Sequence, residues 1–239
     1  MSELEEEKLT YHLSELRKTI LSVIICLIVL FPLGYFLAPY CIDWLIKWSF
    51  FNTDYSLNFF TPMEVFLVNL KIGFILAFIV GFPFIIYKIW KFLLPALYEK
   101  EKKFLKTAVV CSTFLFCLGA AMCVFFVLPL IIKFSMSFST EQIKPMLGIS
   151  NFLGLSGWLM LAFGLMFQFP IAIYFSVKFD IVSIENLRNK RPYIIVILLL
   201  FAAFLTPPDV ISQLLLFVPT YLLFELGLFF ASFSNKKSE

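Results

Sequence analysis

The residues best equipped for chemistry are few, and they stand at the ends of long apolar runs. Glu15 lies in His12-Leu13-Ser14-Glu15-Leu16-Arg17, just before the first such run. Glu99 and Glu101 lie in Phe92-Leu93-Leu94-Pro95-Ala96-Leu97-Tyr98-Glu99-Lys100-Glu101-Lys102-Lys103, the most polar stretch of the chain. Carboxylates beside apolar Phe92, Leu94 and Leu97 suit the paired, partly desolvated hydrogen bonds that guanidinium groups make. A solvated helix start at Glu15 and charge compensation at Glu99 and Glu101 account for the same residues and stay open at this point. Within the apolar runs stand Gln168 and the trio Gln213, Tyr221 and Glu225, whose spacings of eight and four put them on one helical face. Polar groups at membrane depth are costly and face a partner or a water-filled cavity. For Gln168, repair of backbone loosened by Pro170 is the alternative. Pro207-Pro208-Asp209 reads as a turn, with Asp209 capping the helix that follows.

Other chemistries fit poorly. Gly154-Leu155-Ser156-Gly157 matches the GxSG pattern of rhomboid intramembrane proteases, but a serine nucleophile needs a base within hydrogen-bond reach. The only histidine, His12, falls on the other side of the membrane in the topology below. The five cysteines show no CxxC or Cys/His grouping and read as small hydrophobes. No metal or organic cofactor is implied, and no enzyme. A net charge of +3 is too small for a nucleic-acid partner.

The elements that position these residues follow from composition. Of 239 residues, 61% are hydrophobic and 15% charged, against about 45–50% and about 25% in soluble domains. The lipid bilayer is therefore the main solvent of this chain. Backbone groups that lipid cannot satisfy must pair within helices, and each span needs about 20 residues. Six spans are expected, near 19–38, 68–87, 107–132, 155–177, 193–205 and 210–231, in a single polytopic membrane domain over 1–239. The fifth is short for a full crossing, which calls for a thinner bilayer or a turn at Pro207 and Pro208 below the far surface. The acidic N-terminus lacks the basic start of a secretory signal, so the first run is expected to stay as a helix.

Fifteen Lys and Arg fall on one set of connections and four on the other, which directs both termini to the cytoplasm. Tyr193 and Arg191 open the fifth span at that face, in belt and snorkelling roles. On the outer side, Asp43-Trp44-Leu45-Ile46-Lys47-Trp48 is expected to form a short surface helix. Thr61-Pro62-Met63-Glu64 reads as a capped helix start. Prolines 32, 83, 129, 170 and 219 should kink their helices, giving an all-α, six-span bundle with a concave side. On these residues alone a small-solute secondary transporter remains the alternative, though internal repeats and multiple intramembrane charges are not evident.

Four motifs in order tie the chain to one family. The HLSELR run resembles the HLxELR motif that opens TatC proteins, the receptor subunits of the twin-arginine translocase. The 92–102 run resembles their F-x-x-P-G-L-x-x-x-E-[RK] loop. Thr206-Pro207-Pro208-Asp209, then Ser212-Gln213, Pro219 and Leu223-Phe224-Glu225, is similar to their TPPD…SQ…P…LYE signature. Ala96 stands where Gly is usual, Phe224 where Tyr is usual, and Gln168 where many members carry Glu.

The resemblance implies that Glu15 and Glu101 help bind the paired arginines of signal peptides on folded precursors. Phe92, Pro95 and Leu97 would shape that site, with His12, Leu16 and Arg17 in support. It further implies a bacterial cytoplasmic (inner) membrane location and energy from the proton-motive force. The implied partners are TatA- and TatB-type single-span proteins and further copies of the chain. The last two spans would dock the TatB-type partner, and Gln168 would meet a TatA-type subunit. Asp209, Gln213 and Glu225 would hold the outer turn and the sixth span.

Overall fold

The computed structural model describes residues 3–50, 57–93, 102–137, 147–179, 182–205 and 210–235. Among them are nine α-helices and one π-helical turn. These are α1 (Glu3–Ser49), α2 (Pro62–Leu93), α3 (Lys102–Met122), the π turn (Cys123–Val127), α4 (Leu128–Ser137), α5 (Ile149–Met166), α6 (Phe169–Lys178), α7 (Ile184–Asn189), α8 (Arg191–Leu205) and α9 (Val210–Asn235). Among the described residues four helical stretches are long and apolar enough to cross a membrane: Leu13–Ser49, Pro62–Phe92, Leu105–Ser137 and Ile149–Lys178. Arg191–Phe204 and Gln213–Phe229 are shorter apolar helices. Large apolar side chains point out of the protein along these helices, with Phe36 at 74% and Phe204 at 84% exposed. Water would not tolerate so many on one chain, and hydrocarbon does.

One expectation is corrected. Residues 43–48 do not form a separate surface helix but continue α1 to Ser49. Ala38, Ile42, Leu45 and Ser49 are buried at helical spacing, so the inward stripe of α1 simply runs on. Pro39 lies inside the helix without ending it. Trp44 and Trp48 stack on each other at 6.4 Å, and Phe125 meets both edge-on, at 6.0 and 5.1 Å. The missing N–H of Pro129 accounts for the π turn just before it: Leu128 N–H reaches back five residues to the Cys123 carbonyl.

The chain groups into two compact units, 1–41 with 69–113 and 42–68 with 114–239. In the first, Gly34 and Gly73 let α1 and α2 touch backbone to backbone. A Cβ at Gly34 would strike the Gly73 carbonyl, and one at Gly73 would come within 2.9 Å of Tyr35 Cα. Trp90 near the end of α2 donates to the Ser112 hydroxyl of α3 at 3.2 Å in a buried site. That bond holds together the helices on either side of the 94–101 connection.

The second unit contains the α3–α5 crossing, where Phe116 and Phe163 are fully buried. A Cβ at Gly164 would enter the Phe116 ring, at 2.5 Å. Ser156 of the GxSG run is buried, and its hydroxyl donates to the Phe152 carbonyl one turn back. It therefore serves helix packing.

Candidate functional site

Of the residues expected to bind signal peptides, those in the described part lie in the first unit. Glu15, Leu16 and Arg17 stand on α1 at the start of its apolar stretch, and His12 occupies the same helix. Glu15 Oε1 accepts from Lys18 Nζ at 3.1 Å, with the two side chains 37% and 71% exposed. An exposed pair one turn apart holds together weakly, by about 0–1 kcal/mol. An arriving guanidinium can displace the ammonium, because two parallel N–H bonds replace one. Leu13 and Leu16 remain exposed beside it. Phe92 is half-buried in the last turn of α2. Pro95, Leu97 and Glu101 lie outside the described residues, as do Glu99 and the turn residues Pro207, Pro208 and Asp209.

The intramembrane polar residues lie in the second unit. Helix α5 ends at Met166 and α6 starts at Phe169, with Phe167 and Gln168 forming a turn. Gln168 N–H donates to Leu165, three residues back, rather than to Gly164. The Gln168 side chain supplies what Gly164 loses, with Nε2 lying 3.4 Å from that carbonyl. Two residues on, Pro170 brings no N–H at all. Gln168 O accepts from both Ile171 and Ala172 N–H, which starts α6 cleanly. The side chain thus works as local backbone repair in the free chain.

On α9, Tyr221 and Glu225 meet as their spacing implied, the phenol donating to Oε1 at 3.0 Å. The other oxygen accepts from Arg191 Nη2 at 2.7 Å. Arg191 is therefore more than a snorkelling residue, because its guanidinium joins the start of α8 to α9. Gln213 does not join this group. It donates to the Leu199 carbonyl of α8 at 3.1 Å.

Two working contacts escaped sequence reasoning. Arg191 and Glu225 are 34 residues apart, so no local period links them. Glu64 was legible as the third residue after Thr61, the spacing of a capping box. Its Oε2 accepts from the N–H of Phe60 at 2.7 Å and of Thr61 at 3.4 Å. Its Oε1 also takes the N–H of Ser150 at 3.1 Å, on a helix whose own N-cap, Gly148, has no side chain to offer. One carboxylate thus caps both α2 and α5. Asn58 and Gly148 form a parallel bridge alongside it, with bonds of 3.0 and 2.9 Å to Leu147 and Ile149. Nothing local in the sequence announced this second cap.

The chain is similar to known proteins along nearly its whole length. The profile of the family described as TatC, Sec-independent protein translocase protein, matches residues 11–219. The Sec-independent protein translocase protein TatC of Escherichia coli (strain K12) is 37% identical over 242 residues, covering 98% of this chain and 91% of that protein. Its counterpart in Haemophilus influenzae is 36% identical over 244 residues, covering 98% and 93%. A solved structure described as the twin arginine translocase receptor TatC aligns with a TM-score of 0.83 at 32% identity, over 94% of this chain and 99% of that one. Multi-pass apolar helices, motifs in family order and similarity along nearly the whole length lead to one conclusion: the chain belongs to the TatC family of Sec-independent protein translocase proteins.

Proposed function

We propose that this protein is the receptor and assembly-platform subunit of a twin-arginine translocase in the bacterial cytoplasmic (inner) membrane. It crosses the membrane six times with both termini in the cytoplasm, α8 and α9 being the last and shortest spans. The observation that carries the reading is the pairing of the HLSELR and 92–102 motifs with similarity to TatC proteins over 98% of the chain. The small-solute transporter alternative has no observation in its favour.

In this reading the two arginines of a signal peptide meet Glu15 and Glu101 on one cytoplasmic surface. Phe92, Pro95 and Leu97 form the apolar floor, and His12, Leu16 and Arg17 support the α1 side. Selectivity for arginine follows from geometry. A planar guanidinium fork fills both lone-pair directions of a carboxylate, whereas a lysine ammonium is a single, strongly hydrated point charge. Among the described residues Glu15 is held by exposed Lys18, a weak bond that leaves it available for exchange. The polar residues of the second unit serve the other half of the task. A TatB-type helix docks on the last two spans, and Gln168 turns from its repair bond toward a TatA-type subunit during assembly. Copies of the chain associate in the receptor complex. Energy comes from the proton-motive force rather than from any chemistry of these side chains.

The test is crosslinking of a twin-arginine precursor to the Glu15→Ala, Glu101→Ala double variant. Crosslinking is expected to disappear while membrane insertion stays intact. Normal crosslinking in a properly inserted variant removes the site.

A further inference from the structure

Helix α8 has only 15 residues, about 22 Å at 1.5 Å per residue, which falls short of a hydrocarbon core of about 30 Å. A full-length span finds its depth from the lipid on either side. A short one must take its depth from its neighbours.

We infer that Arg191 is a positioning residue: its ion pair with Glu225, steadied by Tyr221, sets the register of α8 against α9 and so shapes the surface on which a single-span partner docks. The inference rests on the docking role proposed above for these two helices.

Three bonds carry it. Arg191 Nη2 meets Glu225 Oε2 at 2.7 Å, and Tyr221 holds the other oxygen at 3.0 Å. Farther along α8, the Leu199 carbonyl takes Gln213 Nε2 at 3.1 Å. The antiparallel pair is thus pinned at two levels, at the start of α8 and past its middle. Sliding α8 by one turn, about 5.4 Å, breaks both pins. In the same interface Leu198, Phe224 and Leu228 are buried with Ile173 of α6. That apolar contact is strong but forgiving, since such side chains fit a neighbouring groove nearly as well.

The pair itself is a poor device for stability. The side chains are 43% and 32% exposed, and Arg191 Nε is buried with no acceptor among the described residues. Such unmet desolvation is tolerated when the polar pair fixes one arrangement over others. What it fixes here is the alignment of two outward rows, Tyr193, Leu200 and Phe204 on α8 with Leu214, Val218 and Leu222 on α9.

The experiment uses the full-length protein in membranes with a TatB-type single-span partner. It measures recruitment of that partner and binding of a twin-arginine peptide side by side. Arg191→Glu and Glu225→Arg are each expected to lower recruitment about tenfold, the change that coupled neighbours produce. Peptide binding should stay as in the parent. The double reversal, which restores the pair with its charges exchanged, should recover recruitment to within about twofold.

Normal recruitment by both single variants overturns the inference. So does a double variant that binds peptide but still fails to recruit. If a reversal fails to insert, Arg191→Lys against Arg191→Met replaces it. Recruitment by Lys but not Met supports the pin, and equal recruitment overturns it. Absence of recruitment by the parent protein would strike the docking role itself, a result distinct from any of these.

Discussion

At Gln168 the side chain compensates for the backbone's own irregularity. Its amide reaches the Gly164 carbonyl that the turn left without a backbone donor. Gln168→Leu is therefore expected to cost about 1 kcal/mol of stability, the loss of one such bond. It should impair recruitment of the proposed TatA-type subunit while sparing signal binding. Recruitment at the parental level, measured by co-purification, would leave local repair as the whole role of this residue. Intramembrane polar residues could be picked out of the sequence because they are rare there, and the Tyr221–Glu225 pair followed from a spacing of four. Arg191 could not, because its partner is distant in sequence and an arginine at a membrane face looks the same whether it snorkels or pairs. Whether Glu15 meets a guanidinium is a question of chemistry beyond the chain, and its bond to Lys18 was set by simple i,i+3 proximity.

The helices were legible to different degrees. Residues 193–205 and 210–231 were expected as spans, and α8 and α9 run over Arg191–Leu205 and Val210–Asn235. Apolar runs bounded by prolines and charges leave little choice but helix, and these two are the shorter apolar helices of the chain. Helix α1 outran its expected end because the tryptophans of the amphipathic piece 43–48 suggested an interface, while buried Ile42 and Leu45 continued the inward stripe. Helix α7, Ile184–Asn189, went unforeseen. It is a six-residue piece started by the Ser183 hydroxyl, which accepts from Asn186 N–H at 3.3 Å, and too short to show a period. Glu64 joins two element ends at once. Glu64→Ala is expected to speed amide exchange at Phe60 and at Ser150, although Ser150 is 86 residues away. Exchange that rises at Phe60 alone would contradict the double cap.

For the molecule as a whole, hydrophobic composition announced a membrane protein, and the uneven distribution of Lys and Arg is the basis for the direction proposed for it. A reporter inserted at position 97 should read as cytoplasmic, and one at 142 as external. The opposite pattern would reverse the proposed topology and move Glu15 away from incoming precursors. The expected signal-site residues and the polar residues Gln168, Arg191, Gln213, Tyr221 and Glu225 fall in different compact units. Family membership could be read from the sequence because its motifs are short, ordered and spread over the chain. The capping and pinning bonds were not, since they join residues that only the folded chain brings together. The central claim is arginine-selective capture at paired carboxylates. Its most direct measurement is binding of a signal peptide to the purified protein, with the arginine pair compared against a lysine pair. A preference for arginine of about tenfold to a hundredfold is predicted, the range for charge-assisted hydrogen bonds, and it should vanish in Glu101→Ala. Equal binding of the two peptides by the well-folded protein would contradict the account.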